Sequence, residues 1–208
     1  MSKLKTKQQF YAWLAKTGGT LPEVQKYLEE LRIDHMALTP KGWNLLHLAV
    51  QEGGNLEVVK YLKKLGVDHM ALIPDDWNLL HLAVQKGGNL EVVKYLKGLG
   101  VDYMAVTSRG ANLLHLAVQK GGNIEVIKYL KELGVDYMAT VNGRNLLQLA
   151  VQYGGNIEVV KYLKELGVDY MATVNGRNLL QLAAQYGGNF KVMEYLVMEY
   201  LEELGIGE

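Results

Sequence analysis

Three histidines, His47, His81 and His115, recur 34 residues apart in the same local context, and such a row of imidazoles could bind metal or relay protons. Two observations weigh against that chemistry. Gln148 and Gln181 fill the same slot further along, and a glutamine shares the hydrogen bonding of an imidazole but not its ligation or titration. Units stacked as packed layers roughly 10 Å apart also hold successive side chains too far from one ion, whose donors must come within about 2 Å. A hydrogen-bonding role is the expectation for all five residues. His35 and His69 stand at the start of a loop where later copies carry Tyr103, Tyr137 and Tyr170, which points to a packing or hairpin role.

Other groups that could do chemistry read the same way. Gly-Gly-Asn runs, at Gly53, Gly87, Gly121, Gly154 and Gly187, resemble loops whose amides hold phosphate, but no Gly-Lys-Ser/Thr follows and five recurrences fit turn geometry better. The carboxylate pairs Asp75-Asp76 and Glu202-Glu203 are adjacent in sequence and sit in polar surroundings, unlike an acid and base held in an apolar pocket. The chain has no cysteine, which removes disulfides, thiolate metal sites and a cysteine nucleophile together. No catalytic, cofactor-binding or metal site is expected, and no cofactor.

The elements that carry these residues are repeats. The segment Asn-Leu-Leu-(His/Gln)-Leu-Ala begins at Asn44, Asn78, Asn112, Asn145 and Asn178, at intervals of 34, 34, 33 and 33 residues. In each unit the Asn caps a helix of about two turns, with Leu45, Leu46, Leu48 and Ala49 at helical spacing until Gly53-Gly54. Asn55 caps a second helix whose Val58, Val59, Leu62 and Leu65 form an apolar stripe, opposite Glu57, Lys60, Lys63 and Lys64; Gly66 ends it. The stretch from Val67 to Trp77, with Asp68, Pro74, Asp75 and Asp76, has the composition of a loop. A degenerate unit opens the chain, with Phe10 and Trp13 in the first-helix slots, Gly18-Gly19 as the turn, and Val24, Leu28 and Leu31 in the second-helix slots. Two short helices enclose too little apolar area to offset chain entropy, so the units must stack.

These residues resemble the ankyrin-repeat family. Asn44-Leu-Leu-His-Leu-Ala-Val-Gln is similar to its first helix, usually Thr-Pro-Leu-His-Leu-Ala-Ala, and Leu56-Glu-Val-Val-Lys-Tyr-Leu followed by Gly66-Val-Asp68 to its second helix and the loop after it. Asn in place of Thr, Leu in place of Pro, and a Gly-Gly-Asn one residue longer than the usual Gly-His turn are departures that bear on turn detail. The tetratricopeptide repeat has the same period but lacks a projecting loop and places Trp, Gly and Tyr differently. The resemblance implies an all-α solenoid of about six stacked helix-turn-helix units with projecting loops or short β-hairpins. The chain is read as one domain, 1–208, in units of approximately 1–38, 39–72, 73–106, 107–139, 140–172 and 173–208. It implies too that the histidine slot is structural, its side chain satisfying backbone groups of the loop.

What differs between units is where a partner can be read. Just before each Asn cap stand Trp43, Trp77, Ala111, Arg144 and Arg177; at the end of each first helix stand Glu52, Lys86, Lys120, Tyr153 and Tyr186. In the resembled family these sets line the concave face and the loop tips that contact partners, and Trp, Tyr and Arg are enriched at binding hot spots. Lys41, Asp75, Asp76 and Arg109 would flank them. A Trp at a loop tip can instead pack on its neighbour's loop. The tyrosines Tyr61, Tyr95, Tyr129 and Tyr162 recur at one second-helix slot, where a ring packs between layers.

Lys plus Arg total 22 and Asp plus Glu 22, so no net charge recruits nucleic acid or an anionic membrane. The basic start, through Lys3, Lys5 and Lys7 to Gln8 and Gln9, lacks the apolar stretch of a secretory signal, and no run approaches the roughly 18 apolar residues of a membrane span. A cytoplasmic protein is expected. At the other end Val192-Met-Glu-Tyr-Leu196 is followed at once by Val197-Met-Glu-Tyr-Leu201. Five residues turn a helix by about 500°, so the second copy would leave Val197, Met198 and Tyr200 exposed, for self-association or as an extension over the last core layer. The function read from these residues is a protein-interaction module for a protein or peptide partner. An engineered or structural repeat scaffold without a native partner is the alternative, and a regulatory repeat segment of a larger enzyme a weaker one.

Overall fold

The computed structural model describes residues 4–51, 54–85, 88–187 and 189–206, the side chain of Lys120 excepted. It is all-α, and it falls into two compact units, Met1–Ser108 and Arg109–Glu208. The first unit carries α1 (Lys7–Thr17), α2 (Leu21–Glu30), α3 (Leu45–Val50), α4 (Leu56–Lys64), α5 (Leu79–Val84) and α6 (Leu90–Gly98). The second carries α7 (Leu113–Ala117), α8 (Ile124–Glu132), α9 (Leu146–Gln152), α10 (Ile157–Glu165), α11 (Leu179–Gln185) and α12 (Phe190–Glu203).

The first helix of each repeat is too short to be stable alone, and its start is fixed by side chains. Asn44 Oδ1 accepts from the His47 backbone N–H at 3.1 Å while His47 Nδ1 accepts from the Asn44 N–H at 3.1 Å, a reciprocal capping box. The same exchange joins Asn78 to His81, Asn112 to His115, Asn145 to Gln148 and Asn178 to Gln181. Asn44 Nδ2 also donates to the Asp68 carbonyl at 2.7 Å, so the cap of one helix anchors the loop 24 residues on. Asn78 to Asp102, Asn112 to Asp136 and Asn145 to Asp169 repeat that bond at 2.7 Å.

From α4 onward, second helices start on an Asn and stop on a Gly. Asn55 Oδ1 accepts from Glu57 N–H at 3.0 Å. At the other end Gly66, with φ 89°, donates to the Lys63 carbonyl and Val67 to the Leu62 carbonyl, a Schellman closure that only glycine enters without strain. Val67 then drops into the core at 1% exposure, with Leu45, Leu46, Val58, Val59 and Leu62 beside it. Each such side chain contributes about 1.5–3 kcal/mol of transfer free energy, which is what the stack rests on.

The expected projecting loops are closed by single backbone bridges, and no sheet forms among the described residues: Ile73 pairs with Trp77, Val141 with Arg144 and Val174 with Arg177. Loop-tip length explains the change of period. Asn142-Gly143 and Asn175-Gly176 have φ of 51°, 70°, 52° and 72°, the two-residue turn with both central φ positive, whereas Pro74-Asp75-Asp76 spends one residue more between its bridging partners.

The ends depart from the pattern. In the opening repeat Phe10, Leu14 and Val24 are fully buried and Trp13 packs edge-on against Tyr27 at 5.6 Å, so Leu14 and Tyr27 take core slots while Trp13, Leu28 and Leu31 stay half-buried. At the other end α12 runs through both copies of the duplicated pentapeptide. Val197 and Met198 are exposed as expected. Tyr200 is not: its hydroxyl accepts from Leu179 N–H at 3.3 Å at the start of α11 and donates to the Tyr170 carbonyl at 3.2 Å.

Candidate functional site

In the first unit, the loop that ends at Trp43 is held by Thr39, whose N–H donates to the Trp43 carbonyl at 2.8 Å and whose Oγ1 accepts from Trp43 N–H at 3.1 Å. This fixes the indole over His47, ring centroids 6.2 Å apart, and half-buries it. Beside it opens a cleft of about 440 Å³. Its apolar wall is Tyr11, Ala12 and Ala15 of α1 together with Trp43, Pro40 and Leu48, and Gln8, Lys41 and Gln51 stand at its edge. Trp77 repeats the arrangement over His81 at 5.9 Å. The tip that precedes it is tied down, because Ser108 N–H donates to the Asp75 carbonyl at 3.0 Å. Each tryptophan thus lies on the histidine of its own repeat.

In the second unit, Arg144 and Arg177 hold the corresponding position. Arg177 Nη1 donates to Gln185 Oε1 at 2.6 Å. One repeat earlier, Arg144 Nε and Gln152 Oε1 are buried atoms without a hydrogen-bond partner among the described residues, which costs free energy that a bound group could recover. Tyr153 and Tyr186 end their first helices at 41% and 40% exposure. Arg109 is exposed, and Ala111, its neighbour at the cap, is buried. Glu52 and Lys86 lie outside the described residues, as does the side chain of Lys120, whose backbone is in the turn Gln119–Gly121.

The histidine row is a set of struts. His47 Nε2 lies 3.2 Å from the Ala71 carbonyl and His115 Nε2 3.1 Å from that of Ala139; with Nδ1 accepting from the cap, the proton belongs on Nε2. Gln148 reproduces both bonds, Oε1 accepting from Asn145 N–H and Nε2 donating to the Ala172 carbonyl, each at 3.0 Å. Burial pushes the pKa of all three histidines down; for His81, whose Nε2 makes no well-formed bond, it falls to about 4 against the opposing pull of the Ala105 carbonyl and the Asp102 charge. They stay neutral at physiological pH. No group of three or more His, Cys, Asp or Glu side chains converges on a metal-sized site among the described residues.

One surface was not singled out from the sequence. Met36, Leu38, Met70, Leu72, Met104 and Val106 are each more than half exposed, on successive loops of the first unit. Each Met is presented by its own Asx turn, in which Asp34, Asp68 or Asp102 accepts from the Met N–H at 2.8–2.9 Å. The signal was present as the recurrent Asp-X-Met-Ala, masked by its regularity. The Tyr11, Ala12 and Ala15 wall of the cleft was missed because the first repeat is degenerate.

A family model described as ankyrin repeats, three copies long, matches the chain in four overlapping windows, at residues 11–107, 46–141, 80–174 and 114–205. No curated protein matches it.

Proposed function

Because the chain belongs to the ankyrin-repeat family, whose repeats are generally protein–protein interaction modules and typically not enzymes, we propose that it binds a protein or peptide partner through its loop tips and first-helix ends. The observation that carries this reading is the apolar cleft beside Trp43. An aromatic side chain held rigidly at the mouth of a pocket, with polar groups at the rim, is the form a binding anchor takes. Trp43 and Trp77 would anchor the first unit, flanked by Lys41, Asp75, Asp76 and Arg109. In the second unit Arg144, whose Nε is unpaired among the described residues, would take a polar group of the partner, with Gln152 and Tyr153; Arg177 and Tyr186 extend the surface, and Glu52, Lys86 and Lys120 complete the set.

The reading treats residues 1–208 as one binding domain and places it in the cytoplasm, where a cysteine-free surface is at no disadvantage. Balanced charge argues against nucleic acid, and among the described residues no helix is long and apolar enough to cross a membrane. The test is affinity capture from cell lysate, with the immobilised chain compared to a Trp43→Ala, Trp77→Ala, Tyr153→Ala, Tyr186→Ala variant of unchanged helicity. Proteins retained by the first and lost by the second support the proposal; identical profiles sink it and favour a scaffold without a partner.

A further inference from the structure

The duplicated pentapeptide writes the same residue types on two faces of α12. The first copy buries Val192 and Leu196, each at 1% exposure. The second lands about 140° around the axis, so Val197 is 40% exposed and Leu201 half-buried on the opposite side. Phe190, Met198 and Leu204, at 74%, 64% and 66% exposure, extend that side along the helix, with the exposed Glu194 among them. In the earlier repeats the slot of Val197 holds a half-buried lysine, Lys63, Lys97, Lys131 or Lys164. The neighbouring first helix is uncovered too. Leu180 is half-buried and Gln181 exposed, whereas their counterparts Leu147 and Gln148 are buried. What covers the counterpart face inside the second unit is another repeat of this chain.

We propose that a second copy of the chain seats on this face, with the two α12 helices antiparallel about a two-fold axis at Val197. That register sets Val197 against the partner's Val197 and Phe190 against the partner's Leu204. It also selects the orientation by charge. Lys191 and Glu202 lie on one flank of the stripe, and in an antiparallel pair like flanks meet, so Lys191 faces the partner's Glu202 twice by symmetry. A parallel pair, whose two-fold runs along the helices, would bring unlike flanks together and leave Lys191 and Glu202 without that match. Because the contact is isologous it closes at two copies.

Sedimentation equilibrium of the full chain over a range of concentrations tests this. The expected mass rises with concentration from the 23.3 kDa of one chain to twice that value and no further. Val197→Glu with Met198→Glu should return it to one chain with helicity unchanged. Lys191→Glu alone and Glu202→Lys alone, both at exposed positions, should each weaken association several-fold, and the two together should restore it. A single-chain mass at every concentration, growth beyond two copies, association that survives the paired glutamates, or a charge swap that fails to restore it would each overturn the proposal. None of these outcomes bears on the partner-binding surface, whose test is separate.

Discussion

Replacing His81 with glutamine should make the protein less sensitive to acid while leaving its neutral-pH stability nearly unchanged. His81 is fully buried and its pKa in the fold is about 4, below the 6.5 of a free imidazole. A pKa depressed by folding stabilises the fold above the unfolded value and loses that contribution as pH falls through the folded one, so the sensitive window is 6.5 down to about 4. By about pH 4.5 the loss is on the order of 2–3 kcal/mol, from about 1.4 kcal/mol per pKa unit. Glutamine removes the titration and keeps the struts, because Gln148 in the equivalent slot makes both bonds at 3.0 Å. Urea unfolding followed by circular dichroism at about pH 7.5 and about pH 4.5 measures the difference directly. His81→Gln should lose less stability than the parent between the two pH values, by on the order of 2 kcal/mol, and His47→Gln and His115→Gln should add in the same direction. If the parent and a variant with all three replacements lose equal stability over that window, the buried neutral imidazoles are not the cause and the reasoning fails.

Leu113→Ala removes a fully buried side chain and should destabilise by about 2–5 kcal/mol in the same unfolding assay. Gly88→Ala should lower the melting temperature, because φ is 36° and an added Cβ would sit 2.9 Å from the Ala83 carbonyl, which is backbone and cannot swing away. Trp43→Ala with Trp77→Ala should abolish capture of a partner while circular dichroism shows the helices intact; an equal loss of helicity from this pair and from Leu113→Ala would mean that the tryptophans are core.

The repeat, its caps and its Schellman stops were legible because each is local: an Asn, a Gly and a period of apolar residues suffice to place a short helix. The histidine row was legible as structure through Gln148 and Gln181, since a slot that accepts both residues asks for hydrogen bonds. The shift from 34 to 33 residues could be counted but not explained until Asn142-Gly143 proved to be a two-residue turn. What resisted reading depends on neighbours distant in sequence. Trp43 is set by Thr39 and by α1, whose degenerate repeat gave no register for Tyr11, Ala12 and Ala15. Tyr200 looked free because the hydroxyl's partners, Leu179 and Tyr170, lie 21 and 30 residues away. Arg144 and Gln152 have neighbours identical in kind to Arg177 and Gln185, and only side-chain placement separates the unpaired set from the paired one.

The most direct measurement of the central claim is hydrogen exchange on the full chain alone and with a captured partner bound. The account predicts slowed exchange at the loop tips and first-helix ends, in 39–51 and 73–85 of the first unit and 141–153 and 174–186 of the second, with the second helices α4, α6, α8 and α10 unchanged. Protection confined to those second helices, with the Trp43 and Arg144 loops exchanging as in the free chain, would contradict it.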